Sequence, residues 1–145
     1  MKFLIQRVKS ANVKVNGNKK GDIQKGLLVL VGIGHEDNEE TADYLVKKLV
    51  NLRIFEDENN KMNKSLKDVN GELLIVSQFT LYADCNSGNR PSFSNAAKPE
   101  PAIQLYNYVI NKCKEQIDKV EQGKFGAEMQ VELINDGPVT IMLEK

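Results

Sequence analysis

Reactive side chains are scarce in this sequence. His35 is the one histidine, placed in Gly34-His35-Glu36-Asp37 with no serine or cysteine beside it. A lone loop histidine of this kind reads as a surface residue rather than a catalytic base. One histidine and the two separated cysteines, Cys85 and Cys113, do not make an ordinary zinc site. Neither G-x-x-x-x-G-K-[ST] nor G-x-G-x-x-G occurs, so no phosphate-cradling loop is indicated. The sequence therefore argues against a triad hydrolase and a metallohydrolase, and it calls for no metal and no cofactor. Three polar segments remain: Ser77-Gln78-Phe79-Thr80-Leu81, Gly88-Asn89-Arg90-Pro91-Ser92-Phe93 and Asn135-Asp136-Gly137-Pro138-Val139-Thr140. An enzyme built from them works with backbone groups and with atoms of its own substrate.

The elements that carry these segments follow from periodicity. Lys2 to Val8 alternates as a strand, and Val13 and Val15 continue it to Asn16-Gly17-Asn18, a hairpin signal. Leu27 to Val31 is a continuous apolar run that suits a strand covered on both faces, ended by Gly32 and Gly34. Asp37 followed by Glu40 reads as a capping box for a helix over Asn38 to Leu52, with Leu45, Leu49 and Leu52 on one stripe. Glu72 to Leu81 reads as a second buried strand, with Ser77, Phe79 and Leu81 on one side and Gln78 and Thr80 on the other. Ala83 to Lys98 has loop composition. A second helix opens at Pro99 and shows the stripe Ala102, Tyr106, Val109, Cys113 and Ile117. Gln130 to Ile134 and Val139 to Leu143 alternate and are joined by Asn135–Pro138, which on its own is ordinary turn chemistry. With no repeat or linker, residues 1–145 form one α+β domain with a mixed, barrel-like sheet and two main helices.

Composition narrows the class further. At 145 residues the chain is long enough for one sizeable core. The longest apolar run falls far short of the roughly 20 residues a membrane helix needs. Phe3-Leu4-Ile5 is too short for a signal-peptide core. Both cysteines read as free thiols. A cytoplasmic protein without a membrane partner is the expectation. Lys+Arg and Asp+Glu both number 20, a neutral balance that is unusual for a protein gripping a long stretch of nucleic acid.

The three polar segments, in this order and in a chain of this length, resemble the signature motifs of the D-aminoacyl-tRNA deacylases, SQFTL, G-x-R-P-S-F and N-x-G-P-V-T. The likeness runs from Phe3-Leu4-Ile5-Gln6-Arg7-Val8 to the last strand. The resemblance implies a homodimer that hydrolyses the ester between a D-amino acid and the 3′ end of tRNA, with glycyl-tRNA as a further substrate. It places Ser77, Gln78, Phe79 and Thr80 at the catalytic centre. Two family readings exist for the attack: the Thr80 hydroxyl as nucleophile, or water assisted by the terminal ribose 2′-OH. The second suits this sequence better, because nothing in it looks able to activate Thr80. Gly137-Pro138 is implied to be a cis dipeptide inserted into the partner's site, where its carbonyls take the substrate α-amino group. Arg7 is implied to hold those carbonyls, Met129 to border the amino acid, and Arg90 and Phe93 to approach the terminal adenosine. The alternatives are a nucleic-acid-binding dimer without turnover, and a dimerisation module with no ligand.

Overall fold

Alternation along the first fifteen residues builds one long strand, β1 (Lys2–Val15), with Phe3 and Ile5 fully buried on one face. The computed structural model describes residues 1–145. Asn16 and Gly17 take positive φ of 49° and 77° to turn the chain. Then β2 (Asn18–Ile23) and β3 (Gly26–Gly32) run back antiparallel along one edge of β1. Helix α1 (Glu39–Asn51) follows, then a small hairpin of β4 (Phe55–Glu56) and β5 (Met62–Lys64). The chain re-enters the sheet as β6 (Glu72–Ser77), parallel to β3. A second helix, α2 (Pro99–Lys114), leads to β7 (Val120–Gln122), parallel to β6. Parallel neighbours need a crossover, and each crossover supplies one helix. The last strand, β8 (Gln130–Glu144), lies antiparallel along the free edge of β1.

Side-chain alternation divides the apolar residues into two layers. Phe3, Ile5, Leu27, Val29, Leu73 and Ile75 meet the inward faces of α1 and α2 through Leu45, Leu49, Tyr106 and Val109. Val8, Val13, Ile23, Leu28, Leu74 and Val76 fill the opposite side. The sheet curls until β2 nearly meets β7: a Cβ on Gly21 would lie 3.1 Å from Glu121 Cβ and 3.3 Å from the Gln122 carbonyl oxygen. The result is a single α+β domain with a nearly closed, barrel-like mixed sheet and two helices. No helix is long and apolar enough to cross a membrane.

Four sequence expectations are corrected. The second buried strand stops at Ser77, where the Gln78 N–H makes a last bond to the Val31 carbonyl (2.8 Å). Phe79–Tyr82 then coils into one 3-10 turn, so the two-sided alternation does not extend to Phe79, Thr80 and Leu81. The helix cap is Asn38, whose side chain accepts from the Thr41 N–H (3.0 Å). Asp37 is engaged elsewhere, by the Gly34 N–H (2.6 Å) and the Met1 amino group. Ile117 is buried but lies beyond the end of α2 at Lys114. Finally, Asn135–Pro138 does not reverse the chain. Both halves of β8 pair with β1, Val8 opposite Asn135 and Gln6 opposite Thr140, so the segment bulges out of one continuous strand.

Candidate active site

A cavity of about 620 Å³ opens where the parallel strands β3 and β6 end. Val31 and Ile33 come from β3 and the residues after it, and Val76, Ser77, Gln78 and Phe79 from the end of β6. Phe93, Ala96, Ala97 and Pro99 enter from the long loop and the start of α2, Phe125 and Met129 from the approach to β8, and Val131 from its first residues. Not one of its sixteen lining residues is ionisable. The lining offers no carboxylate, imidazole, amine or thiol, and its polar groups are the Ser77 hydroxyl, the Gln78 amide and the main chain.

The 3-10 turn supplies main-chain donors. Its first hydrogen bond runs from the Leu81 N–H to the Gln78 carbonyl (3.2 Å). The N–H groups of Phe79 and Thr80 precede that bond and have no partner within the turn, as at any helix start. Gly32 permits the turn to press on β3, since a Cβ there would come within 3.0 Å of Leu81 Cβ. The Thr80 hydroxyl accepts a hydrogen bond from the Gln78 side-chain amide, and no histidine or carboxylate reaches it. Phe79 is 57% exposed and meets Phe93 edge to face, with ring centroids 5.1 Å apart. Such pairs gain more than their buried area alone.

Of the residues singled out from the sequence, Ser77, Gln78, Phe79, Phe93 and Met129 are brought together around this cavity, with Thr80 on the adjoining turn. Arg90 is exposed, makes no ion pair and does not line it. Gly137 and Pro138 are exposed, outside the cavity of their own chain, and joined by a cis peptide bond. Arg7 is nearly buried, 5% exposed. Its Nε donates to the Asp136 carbonyl (3.1 Å) and lies 3.2 Å from the Asp136 carboxylate, while Nη1 donates to the Ile54 carbonyl (2.6 Å). The guanidinium thus holds the residue before Gly137, not the Gly137 or Pro138 carbonyls.

Sequence reasoning missed part of the wall. Gly123 accommodates Met129: a Cβ at Gly123 would sit 2.5 Å from the Met129 Sδ. Gly123 is fixed in turn by its N–H bond to the Ile75 carbonyl (2.9 Å). Phe125 lines the cavity and tilts against Tyr106, whose buried hydroxyl donates to that same carbonyl (2.8 Å). The pair of glycines bracketing an aromatic, Gly123 and Gly126 around Phe125, was the available signal. Burial raises the Tyr106 phenol well above its ordinary range, so it serves as a fixed donor. No group of three His, Cys, Asp or Glu side chains converges to hold a metal ion.

Fold and cavity define a class: a single α+β domain whose site offers main-chain donors and apolar walls rather than titrating side chains. The family model described as D-Tyr-tRNA(Tyr) deacylase matches residues 4–144. A D-aminoacyl-tRNA deacylase of Thermosipho africanus is 59% identical over 99% of the chain and 97% of its own length. Proteins of the same name from Clostridium novyi and Clostridioides difficile are 58% and 56% identical over the same shares. A solved structure titled c-Myc DNA Unwinding Element Binding Protein superposes with a TM-score of 0.94 at 43% identity, covering 100% of this chain and 99% of that one. A structure titled as a probable eukaryotic D-amino acid tRNA deacylase shares the fold, with a TM-score of 0.86 at 17% identity over 98% of this chain and 97% of that one. The chain belongs to the D-Tyr-tRNA(Tyr) deacylase family. It is an enzyme, a hydrolase acting on aminoacyl-tRNA.

Proposed function

We propose that the chain removes D-amino acids, and glycine, from the 3′ end of tRNA as a cytoplasmic homodimer, using its backbone both to select the substrate and to stabilise the transition state. The observation that carries this reading is the Phe79–Tyr82 turn at the mouth of a cavity lined by no ionisable group. Ester hydrolysis by water passes through a tetrahedral oxyanion, and preorganised N–H groups are suited to receive it. Phe79 and Thr80 offer such donors. The terminal ribose 2′-OH accepts the proton of the attacking water as it passes its own to the departing ribose 3′-oxygen, so the ester breaks to a free amino acid and an intact ribose. Phe79 and Phe93 offer exposed rings against which the terminal adenine stacks.

Selection falls to Gly137 and Pro138. Their carbonyls accept the substrate α-amino group from across a two-fold interface, and an L side chain would be driven into their backbone. Glycine has no side chain to collide, so it passes. Supporting this, the dipeptide is exposed and is not among the residues lining its own chain's cavity, while Ile134 and Met142 on the same strand are 59% and 46% exposed. Removing the terminal 2′-OH from the substrate tests the chemistry. Hydrolysis should fall by orders of magnitude, whereas undiminished turnover would return the nucleophile to the protein. A second reading is favoured by the DNA-element-binding title of one relative: the same face docks a nucleic-acid end without turnover. The neutral charge weighs against it.

A further inference from the structure

The loop between the 3-10 turn and α2 carries Phe93 to the cavity, yet it has few ties to the rest of the molecule. Its two limbs pair with each other, the Asp84 N–H to the Ser92 carbonyl (2.8 Å) and the Ser92 N–H to the Asp84 carbonyl (2.9 Å). Its far end is bound by the Ala97 N–H to the Ile33 carbonyl (2.9 Å), part of a short antiparallel bridge between Ala96 and Gly34. Between those points the bonds are internal to the loop: Ser92 Oγ to Ser94 Oγ (3.2 Å), the Ser94 N–H to Ser92 Oγ (3.4 Å) and the Ala96 N–H to the Phe93 carbonyl (3.0 Å). One side chain from outside reaches in: His35 Nε2 lies 2.7 Å from the Ser94 carbonyl oxygen. A carbonyl only accepts, so this nitrogen carries the proton. Ser94 directly follows Phe93, whose ring rests edge to face on Phe79.

We infer that His35 is a positioning residue: it latches the Ser92–Ser94 stretch so that Phe93 stays on Phe79 at the cavity mouth and the tRNA end meets a preformed aromatic pair. This rests on the proposed use of that cavity for the tRNA end. His35 itself lines no part of the cavity and touches no reacting atom. Its effect belongs to substrate capture, because an unlatched loop leaves the oxyanion donors of the neighbouring turn in place.

The test compares His35→Ala and His35→Gln with the parent protein, reading steady-state constants on D-Tyr-tRNA and the Phe93 ring-proton shifts by NMR, assigned with Phe93→Leu. Losing one hydrogen bond at an ordered loop should raise KM about three- to tenfold with kcat little changed. The ring shifts of Phe93, displaced by the Phe79 ring, should move toward those of a free phenylalanine. Glutamine offers an N–H donor at similar reach, so His35→Gln should recover both readouts. Unchanged ring shifts in His35→Ala would overturn the latch, and shifted rings with an unchanged KM would overturn its role in capture. If Phe93→Leu leaves KM unchanged, the cavity reading fails, while the ring shifts still decide whether His35 holds the loop.

Discussion

Thr80 has the hydroxyl that a nucleophile needs but not the surroundings. Its oxygen accepts from the Gln78 amide, which takes no proton away, and no base stands within hydrogen-bond reach. Thr80→Ala should therefore keep kcat within about tenfold of the parent, since a single neutral hydrogen bond is worth about 0.5–1.5 kcal/mol. A loss of several orders of magnitude in a folded variant would make Thr80 the nucleophile. Cys113 is a second residue whose surroundings decide its chemistry. It is fully buried on α2, and burial pushes its thiol up to about 12. Its neutral form is held in the fold, so its contribution to stability is intact below the ordinary thiol value of 9.0 and is lost as pH rises through about 12. Iodoacetamide at neutral pH should modify exposed Cys85 in the native protein and reach Cys113 only on unfolding.

Most of the elements were legible because their signals are local. The 3.6-residue stripes of α1 and α2, the Asn16-Gly17 turn and the buried run of β3 depend on neighbours in sequence, and the structure has each of them. Two things were not. Strand β7 has only three residues, all half-buried, and is specified by its parallel partner β6. The Asn135–Pro138 bulge reads locally as a hairpin turn, and only the pairing of both flanks with β1 shows otherwise. Arg7 belongs to the same lesson, because its partners, Asp136 and Ile54, are distant in sequence. An ammonium cannot reproduce its two-sided fork. Arg7→Lys should lower unfolding stability by about 1–3 kcal/mol, the cost of an unsatisfied buried group, and reduce kcat as the bulge shifts. Denaturant melting read alongside kinetics checks both. Gly123→Ala should leave melting nearly unchanged, because the atom it meets is the movable thioether of Met129. The displaced side chain should raise KM for the D-ester several-fold. An unaltered KM would mean that Met129 does not border the substrate.

For the molecule as a whole, the proposal turns on a second copy. In that proposal each chain carries a cavity and exposes Gly137-Pro138 outside it, and a two-fold arrangement would bring each dipeptide to the other chain's cavity. Gly137→Ala gives a direct reading, since a Cβ there would meet only the Asn135 side-chain amide, at 3.1 Å, within its own chain. The variant should fold and associate like the parent while hydrolysing the D-ester at least tenfold more slowly, which sedimentation and kinetics together resolve. Full activity would show that the dipeptide faces no substrate. The net charge of zero fits an enzyme that holds the tip of tRNA rather than its body. The central claim is that main-chain geometry, with no ionisable group in the cavity, hydrolyses the D-ester and rejects its mirror image. The measurement that meets it head on is release of amino acid from D-Tyr-tRNA and L-Tyr-tRNA by the purified protein, in the presence of a chelator. Rapid turnover of the D-ester with the L-ester left intact is the predicted result. Comparable cleavage of both esters, or loss of activity that zinc restores, would contradict it.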